Sequence, residues 1–389
     1  MQARKLKAGL IGCGGRGTGA ATQFLQGNDE VEVTALADVF EDKLLMCLDR
    51  LRQDPRNTAI ASKVNVPAEN RFVGFDAYQK LIASDVDIVM LCTPPGYRPM
   101  HFEAAINAGK HVFAEKPIAT DATGVRRFMA SARKAKEKNL TVVSGAQNRS
   151  NSAIRQTRAK VQAGAIGDIV AAYVGYYSGP VMHAKERDPK WGDMEWQHRD
   201  WYSYLWLCGD QIVEQHFHNI DLINWFVGMH PVKVVASGGA AWRPRTELYG
   251  NIYDHLRSEF TYPNGLKLVS ECRQYPKGCY YKVYELLVGS KGRSDCRDMG
   301  GKPAVNPQIQ EHVDLVNSVR GTGPYINHGQ EVAESTLTCI MAREAAYSGI
   351  EITWDMILNS KQDLMPKTFG YDVKMTAPPL PVPGEYKFI

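Results

Sequence analysis

The sequence predicts an α/β chain of two domains, a doubly wound parallel sheet followed by an α+β domain built on a largely antiparallel open sheet. Three observations predict it. The 389 residues exceed what one ordinary core holds, and an apolar content of 44% can fill two. From Leu6 to about Ser144, short apolar runs alternate with amphipathic stretches. After Ser152 the apolar runs lengthen and hairpin-type turn residues separate them.

In the first half, LKAGLIG, VEVTALAD, DIVMLCTP, HVFAEKP and LTVVSG read as buried strands, because near-continuous apolar runs suit parallel strands covered on both faces. Gly17 to Leu25, Glu41 to Arg52, Met100 to Ala108 and Thr123 to Lys138 read as the helices between them. In the second half, a helix over Ala153 to Ala163 precedes an aromatic-rich stretch. Longer strands follow in KVVASGGA, HLRSEFTYPNGLKLVSECRQ and YKVYELLVGSKGR, where Asn264-Gly265 and Ser290-Lys291-Gly292 fit hairpin turns. Helices over Gln308 to Val319 and Gln330 to Tyr347 come next, and the proline-bearing end from Pro366 reads as an extended tail. The boundary is placed at residue 148, giving domains over 1–148 and 149–389.

Charge narrows the partner class. Lys and Arg outnumber Asp and Glu by only four, 46 against 42, and no long basic block is present, which argues against nucleic acid or an anionic membrane surface as partner. A small molecule is expected. The most basic short run, Arg133 to Lys138, contains Glu137 and reads as a solvated helix face. The eight cysteines are scattered, with no Cys-x-x-Cys pair, so structural metal is not expected and free thiols are. Neither an 18-residue apolar span nor a signal peptide is visible, and the expected compartment is the cytoplasm; removal of an export signal would make it the periplasm.

The stretch GLIGCGGRGTGAATQFL places Gly12, Gly14 and Gly17 in Gly-x-Gly-x-x-Gly spacing, directly after the first strand and at the start of the first helix. Gly12 permits the tight turn, Gly14 lets the backbone approach a pyrophosphate, and Gly17 lets helix and strand pack closely. Gly15 and Arg16 belong to the same loop, and the helix N-terminus adds amide donors and positive dipole. This is the fingerprint of a dinucleotide-binding Rossmann domain. The second strand ends in Asp38, whose carboxylate can accept from adenosine ribose hydroxyls and repel a 2′-phosphate. Val39 and Phe40 follow where an NADP site often has Arg or Lys, so NAD is the expected cofactor. Asp38 can also cap the helix that begins near Phe40, which is compatible with the ribose role.

The segment CTPPGYRPMHFEAAINAGKHVFAEKP resembles the glucose-fructose oxidoreductase / inositol dehydrogenase (Gfo/Idh/MocA) family. Its members carry a Thr-Pro turn after the fourth strand and Glu-Lys-Pro after the fifth, here Thr93-Pro94 and Glu115-Lys116-Pro117. The resemblance runs on through GDQIVEQHFHNID to EVAESTLTCIMAREAAYSGIEITWDMI, nearly the whole chain. It implies that Thr93, Pro94 and Glu115 line the cofactor and that Lys116 sits beside the nicotinamide and the reacting hydroxyl. Physics supports the lysine independently: at the carboxyl end of a parallel strand its ammonium points into the ligand crevice and can hold an oxygen that is losing its proton. The resemblance also makes Asn148 and Arg149, in GAQNRSN, candidate pocket residues.

Residues 214–226, EQHFHNIDLINWF, pack Glu214, His216, His218 and Asp221 into eight positions of what reads as one buried helix. Histidines at i and i+2 diverge on a helix, which argues against a metal. Spacings of four and three put Glu214, His218 and Asp221 on one face, where a carboxylate can orient an imidazole acting as general base. A histidine satisfied within the core is the other reading of His218. The family pattern implied by the resemblance is Asp-x-x-x-His with Asp three residues on. His218 and Asp221 match it, and Glu214 departs from it. His216 is expected to line the pocket or the dimer side.

Trp191, Trp196, Trp201 and Trp206 are four of the seven tryptophans, and fall with Tyr202 and Tyr204 in one segment. Their rings could form a carbohydrate rim, with Trp201 a candidate substrate contact, or serve as core and interface aromatics. The spacing of five suits neither helix nor strand, so an irregular segment is expected.

These readings converge on an NAD-dependent oxidoreductase of a secondary hydroxyl in a pyranose, glycoside or cyclitol. Lys116, His218 and Glu214 are the expected catalytic residues, and a homo-oligomer through the open sheet is the expected assembly. The resemblance also implies an alternative, a glycosidase that oxidises, eliminates, hydrates and returns the hydride to the same NAD. A non-catalytic sugar or nucleotide sensor is a further alternative, but it should lack the Lys/His pair.

Overall fold

The computed structural model of the chain describes residues 4–55, 58–181 and 186–389. They divide into two compact units. The first comprises Met1–Ile118, Arg127–Asn151 and Pro303–Gln330; the second comprises Ala119–Arg126, Ser152–Lys302 and Glu331–Ile389. The sequence reading cuts the chain once, at 148, whereas residues 303–330 pack with the first unit.

The first unit holds six parallel strands, β1 (Leu6–Ile11), β2 (Val31–Asp38), β3 (Arg71–Val73), β4 (Ile88–Leu91), β5 (His111–Ala114) and β6 (Val142–Ser144), in the order β3-β2-β1-β4-β5-β6. The strand order reverses between β1 and β4, the switch point where the carboxyl ends of such sheets open a crevice. The early helices are α1 (Gly15–Gly27), α2 (Glu41–Gln53), α3 (Ala77–Ala83), α4 (Arg98–Asn107) and α5 (Ala122–Glu137). Residues of β1, β2, β4 and β5 are almost wholly buried, as their unbroken apolar runs require.

After α6 (Ser152–Gln162) come β7 (Ile169–Ser178), α7 (Asp193–Arg199), α8 (Leu205–Cys208), α9 (Gln211–Glu214) and α10 (Phe217–Val227). Then follow β8 (Lys233–Gly239), β9 (His255–Thr261), β10 (Lys267–Gln274), β11 (Lys282–Gly289) and β12 (Gly292–Ser294). The chain closes with α11 (Pro307–Arg320), α12 (Gly329–Ser348), β13 (Ile352–Thr353), α13 (Trp354–Asn359) and a mostly irregular tail. The second sheet, β12-β11-β7-β10-β9-β8-β13, is antiparallel except where β10 runs parallel to β7. Gly265 has φ +84° in the β9–β10 turn, and Ser290 and Lys291 join β11 to β12.

The helix α11 belongs to the first unit for a packing reason. Asn306 caps it by accepting from the Gln308 N–H at 2.9 Å, and Pro307 opens it. Leu315 and Val316 then join the buried cluster that holds Phe24 and Phe113. A Cβ on Gly27 of α1 would lie 2.9 Å from Ile309 and Val313, so α1 and α11 touch backbone to side chain.

The segment read as one helix over 214–226 is two. The His216 N–H reaches back five residues to Gln211 at 3.3 Å, and His218 bonds only three back, to Gln215 at 3.4 Å. That break separates Glu214, at the end of α9, from His218, in the first turn of α10. A single shared helix face therefore does not follow from their spacing. The aromatic segment is also more regular than expected, since α7 and α8 lie within it.

Candidate cofactor and catalytic residues

The glycine turn is forced by contact. At Gly12, φ is +96° and a Cβ would lie 2.6 Å from the backbone of Cys92 and Thr93, at the end of β4. A Cβ on Gly17 would lie 1.8 Å from the Gly12 carbonyl oxygen, which no side chain tolerates. Gly14 and Gly15 have the opposite character: a Cβ at either would meet nothing within 4 Å. Open space therefore stands against a backbone that starts a 13-residue helix with no side-chain cap. Its first N–H groups and dipole suit a pyrophosphate, so the residues present fit a dinucleotide.

Asp38 closes the same turn. Its carboxylate accepts from the Cys13 N–H at 2.6 Å and the Phe40 N–H at 2.9 Å. Burial raises its pKa, and the two N–H bonds oppose that rise. The bond to Phe40 is a turn of the Asx type ahead of α2, whose N-cap is Phe40 with no side-chain cap, so the helix-capping role expected of Asp38 is not realised.

The carboxyl ends of β4 and β5 carry the other two motifs. The buried Arg98 guanidinium donates to the carbonyl oxygens of both Thr93 and Pro117, which ties the Thr-Pro turn to the Glu-Lys-Pro segment. The Arg16 Nε lies 3.0 Å from Glu115 Oε1, joining the glycine loop to β5. The Lys116 N–H donates to Glu115 Oε2 at 3.3 Å, and the Lys116–Pro117 peptide is cis. Lys116 itself is half-buried. All the cofactor-side candidates, Gly12, Gly14, Gly15, Arg16, Gly17, Asp38, Thr93, Pro94, Glu115 and Lys116, thus come together within the first unit. Asn148 and Arg149 lie there too, in a 3-10 turn after β6, the first half-buried and the second buried.

The remaining candidates lie in the second unit. Glu214 and Asp221 are buried, and His218 is half-buried. His216 has no exposed surface; its Nε2 lies 2.7 Å from Ser270 Oγ on β10, and its ring meets Tyr176 of β7 edge-on. Burial drives its pKa down to about 3, against a smaller opposing effect of Asn219. It is a neutral histidine held between helix and sheet, and substrate contact would require it to move. Trp196 and Trp206 are buried, the latter donating to Gln197 Oε1 at 2.7 Å. Trp191 and Trp201 keep partly exposed faces. Tyr202 and Tyr204 are buried as well, so four of the six rings of that segment are core.

Two contributions escaped the sequence reading. Arg98 lies outside both motifs it joins. Glu311 and His312 on α11 are fully buried in the first unit, although they come some 150 residues after the rest of it. A polar pair beside Leu315 and Val316 on an amphipathic helix was the available signal. Among the described residues, no group of three or more His, Cys, Asp or Glu could hold a metal ion, and no helix is long and apolar enough to cross a membrane.

Residues 6–144 match the family model of the NAD-binding Rossmann fold of the GFO_IDH_MocA oxidoreductases, and residues 154–294 match the GFO/IDH/MocA C-terminal domain. The chain belongs to the GFO/IDH/MocA family. Its first unit carries the NAD-binding Rossmann fold of that family, as the Thr93-Pro94 and Glu115-Lys116-Pro117 resemblance implied. Inositol 2-dehydrogenase of Rhizobium meliloti is 25% identical over 232 residues, 60% of this chain and 58% of that protein. Alignments to the first curated relatives span only 54% to 67% of those proteins' own length. Among solved GFO/IDH/MocA-like folds, scyllo-inositol dehydrogenase from Lactobacillus casei with bound NAD(H) and scyllo-inositol superposes with TM-score 0.66 at 18% identity, covering 90% of this chain and 99% of that one. The WlbA dehydrogenase from Bordetella pertussis, in complex with NADH and UDP-GlcNAcA, gives TM-score 0.68 at 19% identity, with coverage of 90% and 99%.

Proposed function

We propose that this chain oxidises a secondary hydroxyl of a pyranose, glycoside or cyclitol with NAD, or reduces the corresponding ketone. The observation that carries this reading is the junction of three motifs at the carboxyl ends of β1, β4 and β5, fastened by Arg98 and by the Arg16–Glu115 pair. That junction supports a role for Lys116 at the ligand crevice that sheets of this order open at their carboxyl ends. Bound NAD supplies the hydride acceptor. The glycine turn and the α1 N-terminus hold the pyrophosphate, and Asp38 favours NAD over NADP. Lys116 holds the reacting oxygen, His218 receives its proton, and Glu214 orients the imidazole. Asn148, Arg149, Trp201 and Asp221 are the proposed substrate-side residues, with His216 backing that side from the core rather than touching substrate.

Assembly as a homo-oligomer through the open sheet face is part of the same proposal. Register puts Leu286, Tyr173, Val269, Glu259 and Val235 in one row across four junctions, with Tyr173 41% and Val235 48% exposed. A row of that length, apolar except for Glu259, is a candidate contact surface.

The decisive experiment incubates the protein with NAD and a panel of cyclitols, sugars and aryl glycosides. NADH formed in step with a keto product supports the proposal. Phenol released over many turnovers without net NADH replaces it with the redox-neutral glycosidase route. No reduction and no phenol across the panel, with NAD still bound, favours a sensor.

A further inference from the structure

Beneath the glycine loop, one guanidinium meets more carboxyl groups than it can neutralise. Arg16, on α1, pairs with Glu115 at 3.0 Å. Glu115 has little freedom: its Oε2 also takes the Lys116 N–H, and a Cβ on Gly145 would lie 2.4 Å from that oxygen. Glu311 on α11 is 1% exposed and close enough to Glu115 and Arg16 for both charges to act on it, and its Oε2 has no hydrogen-bond partner among the described residues. Asp314 on the same helix is engaged by Ser150 at 2.7 Å and Gln310 at 2.9 Å. His312 is fully buried with neither ring nitrogen bonded among the described residues, and burial drives its pKa down to about 3, so it supplies no positive charge. A second link reaches Arg16 from α11: Arg16 donates to Gln23, whose amide donates to Gln308 at 3.0 Å.

We propose that Glu311 is a positioning residue of the cofactor half, a carboxylic acid that keeps its proton and directs it at Glu115, so that Glu115 alone answers Arg16 and stays fixed behind Lys116. Two buried carboxylates beside one guanidinium cannot both ionise cheaply, because the second charge has no partner to offset its loss of water. A protonated carboxyl reverses the situation, since its O–H is a donor and Glu115 is an acceptor. Burial, then Glu115, raise the Glu311 pKa well above the ordinary range, while Arg16 opposes them. The C-terminal part of the chain thereby sets the geometry of a loop made at its beginning.

The pH sign follows from where the proton is held. The unfolded chain releases the Glu311 proton near pH 4.5, whereas the folded chain retains it, so this residue lowers stability as pH rises above that point. Glu311→Gln keeps a donor and cannot ionise. In the full-length variant, the NAD dissociation constant at pH 7 is expected within roughly twofold of native, and Tm, relative to native, is expected to rise by about 3 °C or more between pH 5 and pH 8. Glu311→Met keeps the length and removes the donor, and is expected to weaken NAD binding roughly fivefold. A glutamine variant that loses affinity tenfold, or whose Tm falls most at pH 8, means an ionised Glu311 paired with Arg16 and overturns the proposal. NAD binding as tight as native in both variants removes the positioning role.

Discussion

The Cys13 backbone N–H donates to the carboxylate of Asp38 at 2.6 Å, so the residue proposed to discriminate between NAD and NADP also fastens the glycine turn to the end of β2. Two roles in one side chain separate on substitution. Asp38→Ala is expected to contract the preference for NAD over NADP by about tenfold, because the repulsion of a 2′-phosphate is gone. It should also cost about 1–3 kcal/mol of stability, because the Cys13 and Phe40 N–H groups lose their acceptor. Titration of both cofactors and a denaturant series measure the two effects. An unmodified protein that binds NADP as well as NAD would refute the discrimination.

Lys116→Met is expected to lower turnover by roughly 100-fold or more, while leaving the NAD dissociation constant within about threefold. The lysine is assigned to the reacting oxygen, and the pyrophosphate is assigned to the glycine turn. Native turnover in this variant sinks the catalytic assignment.

His218→Asn should reduce turnover by about 100-fold and remove the limb of the pH–rate profile that a histidine base imposes. Glu214→Gln should be milder, since it changes the orientation and charge behind the imidazole without removing the base. Because a helix break separates the two residues, Glu214 is the less constrained assignment. A folded His218→Asn protein with an unchanged pH profile returns His218 to a core role.

The acid limb of stability has a structural source. His101, His216 and His312 are buried, and burial is the leading cause that brings each pKa down to about 3. Between about pH 6.5 and 3 the unfolded chain binds protons that the folded chain refuses, so stability falls as pH falls through that window. His312 packs against Phe113 at 4.3 Å and Phe24 at 6.0 Å, with no hydrogen bond to lose. His312→Phe is therefore expected to move the midpoint of acid unfolding to lower pH, by roughly a few tenths of a unit. A midpoint that stays put or rises would show that the ring carries a proton in the folded state.

Five of the six strands and four of the five early helices of the first half were legible because each is a local pattern, an unbroken apolar run or a glycine spacing; β3 (Arg71–Val73) and α3 (Ala77–Ala83) were missed, the strand being three residues long and the helix seven. What joins these elements was not legible. Arg98 reaches two carbonyl oxygens that lie 24 residues apart, at Thr93 and Pro117, and nothing in residue spacing encodes such a bridge. The helix over 214–226 was misread as continuous because its apolar positions keep helical spacing across a backbone slip at His216 that periodicity does not register. The core place of Trp196 and Trp206 was left open beside a rim because tryptophan composition reports ring content and says nothing of which face is covered. The hairpins were legible from Asn264-Gly265 and Ser290-Lys291-Gly292, where turn chemistry is local.

The return of Pro307–Arg320 to the first unit sets a conflict between the order of synthesis and the order of assembly. A ribosome completes β1 through β6 early, yet Leu315 and Val316 emerge only after residues 152–302 have been made. Until then the nascent sheet and α1 present an uncovered apolar slot, and Arg16 lacks its Gln23–Gln308 link to the later helix. The unit whose six strands are made first is thus left unfinished until residues 303–330 follow, and a chain stopped short of residue 320 would carry that slot uncovered.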